Sequence, residues 1–130
     1  MTIRKLRTKR DNQQWMLDLA LNMRGRVQNF ERDDLETPTR AHNYRMLPKQ
    51  WRKKAEHDES LGRQAQAQGF AATACEHYDH AVEAYRMAQH PIFFDDNPIK
   101  LELYDRLNTV VDLRSEVAPY PVERVEVPFD

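Results

Sequence analysis

The sequence predicts a mostly α-helical chain, with four to five helices arranged around a helical hairpin and one β-strand at the C-terminus. Apolar residues recur at steps of three and four, most cleanly at Ala71, Ala74, Tyr78, Ala81, Tyr85 and Ala88. The chain holds only three glycines and seven prolines, and most of them sit at the edges of such periodic stretches. The pattern then changes at "PYPVERVEVPFD". Here Val125, Val127 and Phe129 alternate with Arg124 and Glu126, the two-residue period of a strand.

Residues 1–10 carry Arg4, Lys5, Arg7, Lys9 and Arg10 with no aromatic residue among them, which fits a solvated basic tail better than a nucleic-acid arm. A first helix is expected from Asp11 or Asn12, either a good N-cap, through Met16, Leu19, Ala20 and Met23 to a stop near Gly25. The acidic stretch "ERDDLETPTR" reads as a linker. Thr37-Pro38 within it is a cap followed by proline at the first helical position, so a short helix is expected over 38–46.

A long helix is predicted from Pro48 to Gly69, with Trp51, Ala55, Gly62 and Ala65 on its inner face. After the tryptophan these residues are small, so a second helix can approach closely. Residues 70–89 form the next helix, with Val82 widening its apolar stripe and Glu76, His77, Asp79, Glu83 and Arg86 opposite. "HPIFFDDNP" is a loop closed by prolines. The last helix runs from about Pro98 to Glu116, with Ile99, Leu103, Leu107, Val110 and Leu113 or Val117 inward, and "APYPVE" breaks it.

Composition narrows the function classes. Hydrophobic residues make up 40% and charged residues 32% of the 130, a globular rather than disordered balance. The net charge of −1 offers no general attraction to nucleic acid or to an acidic membrane surface. The single cysteine, Cys75, has no intramolecular partner, which suggests a reducing compartment or indifference to redox state, and it lies beside an apolar stripe, so it reads as a small buried hydrophobe. No apolar run approaches the ~20 residues of a membrane-spanning helix, and no signal peptide follows the basic start. The expected location is the cytoplasm.

Chemistry-bearing motifs are sparse. The two serines, Ser60 and Ser115, lie in helices and outside any G-x-S-x-G. There is no phosphate-binding glycine loop, no H-E-x-x-H and no C-x-x-C. His77 and His80, one turn apart, have a spacing that can hold a metal. No third ligand is evident near them in the sequence, and the same residues suit a solvated helix face, so no metal or other cofactor is assigned.

The hairpin spacing, with small residues at 62, 74 and 81 around Tyr78, resembles one tetratricopeptide repeat. No second copy recurs at the period of about 34 residues that an array needs. A wider resemblance runs from Trp51 to Phe129. Its residues are Trp51, Ala55, Glu59, Ala65, Gly69, Thr73-Ala74, Tyr78, Ala81, Tyr85 and Ala88, then "HPIFFDDNPIKLELYDR", then "APYPVERVEVPFD". These resemble the N-terminal helical region of α/β-hydrolases similar to 2,6-dihydroxypseudooxynicotine hydrolase, the FrsA-like esterases and the fungal polyketide-shortening hydrolases.

The resemblance implies a helical cap over 11–118 that packs on a hydrolase domain and contributes to a homodimer, with 119–130 the start of that domain. It implies a parent enzyme cleaving a C–C or ester bond next to a carbonyl, whose catalytic serine, aspartate and histidine lie downstream of these residues. No catalytic residue is therefore assigned here, and the isolated chain is expected to lack esterase activity. The cap's inward surface is expected to include Tyr85, His90, Phe93 and Phe94 as a pocket wall. For the two phenylalanines, plugging the core beneath their loop is an equal alternative. Pro128 cannot donate to a ladder, so the terminal strand is expected at a sheet edge. Two other readings remain: a free-standing helical adaptor for a protein partner, and a subunit that lends its strand to a partner's sheet.

Overall fold

A computed structural model describes residues 44–129. A 3-10 turn, Tyr44–Met46, leads into α1, Leu47–Ala67, followed by α2, Ala71–Gln89, and α3, Pro98–Val117. The described region is thus mostly helical, with three helices and no strand. The basic tail and the helix expected over 11–25 lie outside the described residues. So does most of the short helix expected over 38–46, whose last three positions are the 3-10 turn.

Local chemistry explains each boundary. Pro48 sits in the first turn of α1, where its missing N–H has no intrahelical partner to lose. The other end of α1 closes on Gly69, whose φ of 81° suits glycine. The Gly69 N–H donates to the Gln66 carbonyl at 3.0 Å and the Phe70 N–H to the Ala65 carbonyl at 2.9 Å. This pair of bonds is the Schellman closure, which satisfies two carbonyls that a helix end leaves open. With α1 ended this abruptly, α2 begins at Ala71 and folds back as the second arm of a hairpin. At α3 the Asn97 side chain accepts from the Ile99 N–H at 2.9 Å and the Lys100 N–H at 3.4 Å, ahead of Pro98.

The central helix is α2, which packs along α1 on one side and α3 on the other, while the backbones of α1 and α3 barely approach. Long side chains bridge those two from start to end. Arg52 donates to Glu102 at 2.5 Å, Arg106 to Glu59 at 3.2 Å and Gln66 to Glu116 at 3.1 Å. Pairs matched in this order require α1 and α3 to run parallel, with α2 antiparallel to both.

The core is rich in alanine. Ala55, Ala65, Ala74, Ala81, Ala84 and Ala88 are buried between the helices with Trp51, Tyr78, Tyr85, Leu103 and Val110. Small residues bring the backbones together and the aromatic rings fill what remains. At Gly62 the Tyr78 ring packs directly on the α1 backbone: a Cβ built there would lie 2.6 Å from its ring carbons. Two residues of the expected stripes, Ala71 and Ile99, are exposed, each in the first turn of its helix.

The expected C-terminal strand is not formed. Residues 121–129 are neither helix nor strand and all are exposed, with Val125 at 72%, Val127 at 79% and Phe129 at 101%. A strand needs a ladder partner, and none exists among the described residues. The segment and the Tyr120 that precedes it are tied to α3 by polar contacts instead. Arg124 donates to Asp112 at 2.8 Å, and Arg114 donates to the Tyr120 hydroxyl at 3.0 Å with its guanidinium over the Tyr120 ring.

Candidate functional site

The start of α1, the α2–α3 loop and the start of α3 enclose a cleft of about 640 Å³. That size suits a small organic ligand or an inserted side-chain group. Two prolines, Pro91 and Pro98, bound the loop, and backbone bonds from Ile92 to Gln89 and from Asn97 to Phe94 fold it tightly. Lys100 braces it from α3 by donating to Asp95 at 2.7 Å. The loop holds Phe93 and Phe94 outward at the cleft, while Ile92 and Leu103 reach it from the edge of the core. Ile92, Phe93, Phe94, Ile99 and Leu103 give the cleft an apolar lining, and Arg45, Lys49 and Arg52 from the α1 end give it positive charge. Arg52 is itself engaged by Glu102 and Glu56, and these hydrogen bonds hold its guanidinium even more firmly protonated than usual.

Of the four residues expected on a pocket wall, Phe93 and Phe94 line this cleft and stand 59% and 74% exposed. They therefore do not plug the core beneath their loop. His90 caps the end of α2, with its backbone N–H donating to Arg86, and is exposed away from the lining. Tyr85 is fully buried between α2 and its neighbours and does not line the cleft.

Tyr85 instead anchors a polar cluster whose tyrosine and carboxylate are buried and whose arginines reach the surface. Its hydroxyl donates to Glu59 at 2.8 Å and accepts from Arg106 at 2.9 Å. Arg63 donates to the other Glu59 oxygen at 2.9 and 3.1 Å, and the Arg106 guanidinium lies over the Tyr85 ring. Burial works against the Glu59 charge. Hydrogen bonds from Tyr85 and Arg63, and the Arg106 charge, outweigh it and hold the carboxyl below its ordinary value. Burial first, and the Glu59 carboxylate second, push the Tyr85 phenol up to about 12. A buried carboxylate with donors on both oxygens is a structural tie, one that joins all three helices.

This cluster and the buried Asp58 were not foreseen as interior groups, although the signal was present. Asp58 and Glu59 follow Ala55 by three and four positions, on the face that Gly62 and Ala65 continue. A charge on an apolar stripe is a sign of a buried pair. Neither serine is poised as a nucleophile: Ser60 is exposed, and Ser115 donates to the Val111 carbonyl of its own helix at 2.8 Å. No described helix is long and apolar enough to cross a membrane. No family model, curated protein or solved structure matches the chain.

Proposed function

We propose that this chain is the helical cap of a serine α/β-hydrolase acting on a C–C or ester bond next to a carbonyl. The supporting observation is the 121–129 segment. It carries strand-type alternation, with three apolar side chains on one face, yet it stands exposed without a ladder. Such a segment fits the edge strand of a sheet supplied by a hydrolase domain. In that arrangement the Phe93–Phe94 loop forms an apolar wall facing the substrate, excluding water while the hydrolase serine attacks the carbonyl.

Two measurements test the proposal. The nucleotide sequence beyond codon 130 is expected to continue, in this frame or a shifted one, into a segment encoding G-x-S-x-G. The 130-residue chain alone is expected to hydrolyse p-nitrophenyl butyrate no faster than buffer. Hydrolysis that disappears with Ser60→Ala or Ser115→Ala would overturn the reading.

A second reading draws on the parallel α1–α3 arrangement around α2, the geometry of a helical-hairpin adaptor. In that case the cleft takes an apolar side chain from a protein partner. A stop after codon 130 followed by an unrelated gene favours the adaptor.

A further inference from the structure

The hairpin joins three metal-type donors that are separated in the sequence. His77 and His80 lie one turn apart on α2, and Asp58 faces them from α1. One donor atom from each lies within 4.8 Å of the others. Asp58 is buried and the two histidines are half-buried. The His77 Nδ1 is sealed from solvent and has no hydrogen-bond partner. Leaving an enclosed imidazole nitrogen without a partner is costly, and almost all such groups in folded proteins find one.

We infer that Asp58, His77 and His80 form a site for a divalent transition-metal ion, zinc first, that clamps α1 to α2. Two imidazoles and a carboxylate make a donor set suited to zinc, and three protein ligands leave a fourth position for water. The neighbouring cation does not fill the site. Lys54 donates to the Asp58 Oδ2 at 2.6 Å. That uses one of roughly four lone-pair positions on a carboxylate and leaves acceptor capacity toward the histidines. The ammonium also holds the carboxylate in place from its own helix, as outer partners of metal ligands do. The sequence spacing of the two histidines reveals only one helical turn of ligands. The third comes from the facing helix, 19 positions before His77. The inference is independent of the hydrolase reading and holds equally for an adaptor.

The test uses the full chain, stripped with EDTA and dialysed, with circular dichroism at 222 nm confirming that each variant is folded. Calorimetric titration with zinc chloride is expected to give one ion per chain at this site, with a rise in Tm. His80→Ala, a change at a half-buried position, is expected to weaken binding at least about tenfold and to abolish the rise in Tm. Cobalt substitution supplies a second readout, a visible absorption band of a four-coordinate site in the parent chain that His80→Ala and His77→Ala each remove. His57→Ala and His90→Ala, which alter histidines outside the cluster, are expected to bind as the parent does. Absence of saturable binding by the parent, or undiminished binding by the His77→Ala/His80→Ala double variant, overturns the inference.

Discussion

Gly62 and Tyr78 show how much one side chain depends on the space left by another. The ring of Tyr78 lies where a Cβ of residue 62 would be, and its hydroxyl donates to Gln66 at 2.6 Å, so the ring is held at both ends. Gly62→Ala gains about 1 kcal/mol of helix propensity. It also forces the fully buried ring to move, at a typical cost of about 1–3 kcal/mol. We expect net destabilisation, read as a lower urea midpoint. Tyr85→Phe removes one donor from Glu59 and leaves the two arginines, so a loss of about 1–2 kcal/mol is expected in the same assay.

The two groups also set opposite pH limits. The Glu59 carboxyl lies below its ordinary value of 4.5 in the folded chain, so its contribution is present above that value and is lost as pH falls through the folded pKa. Tyr85 is raised from 10.0 to about 12, so its contribution is complete below pH 10 and is lost as pH rises from there to about 12. Urea midpoints measured across pH are expected to show a Tyr85-dependent decline in that alkaline window, and Tyr85→Phe is expected to remove it.

The turns that end and begin the helices separate backbone strain from packing. Gly69 has positive φ, and a Cβ there would meet nothing within 4 Å. Gly69→Ala therefore tests conformation alone, with an expected cost of about 1–2 kcal/mol. Asn97→Ala deletes the cap of α3 and is expected to cost about 1 kcal/mol. Both are measured by denaturant unfolding. Because α3 carries Arg106 and the Leu103 wall of the cleft, loosening its first turn is also expected to disturb the Phe93–Phe94 loop. Proteolysis at that loop, compared between the parent and Asn97→Ala, reads this effect directly.

Among the described residues, apolar side chains stand exposed in the 121–129 segment and the Phe93–Phe94 loop, and also at Phe70 and along α3 at Leu101 and Tyr104. Apolar surface of this kind promotes association when its partner is missing. Light scattering of the isolated chain is expected to show a mass that rises with concentration. Replacing Val125 and Val127 with lysine is expected to lower that rise, because charges on a strand edge oppose edge-to-edge pairing. A concentration-independent monomer in the parent chain would count against an interface at the segment.

The three described helices were legible from the order of residues. Helical period, proline at first turns and Gly69 act within a few positions, so α1, α2 and α3 begin and end within a residue or two of where the pattern places them. The apolar stripe already carried Tyr85, but its bonds to Glu59 and Arg106, and the choice between wall and core plug for Phe93 and Phe94, were not legible, because both depend on which helix lies opposite. The same holds for Asp58 beside His77 and His80, and for the parallel course of α1 and α3. The alternation in 121–129 signals strand chemistry, but alternation alone supplies no hydrogen-bonding neighbour. Local geometry is written in short-range steric preference. Contact between distant residues follows from the packing of whole helices, which no single stretch of sequence contains.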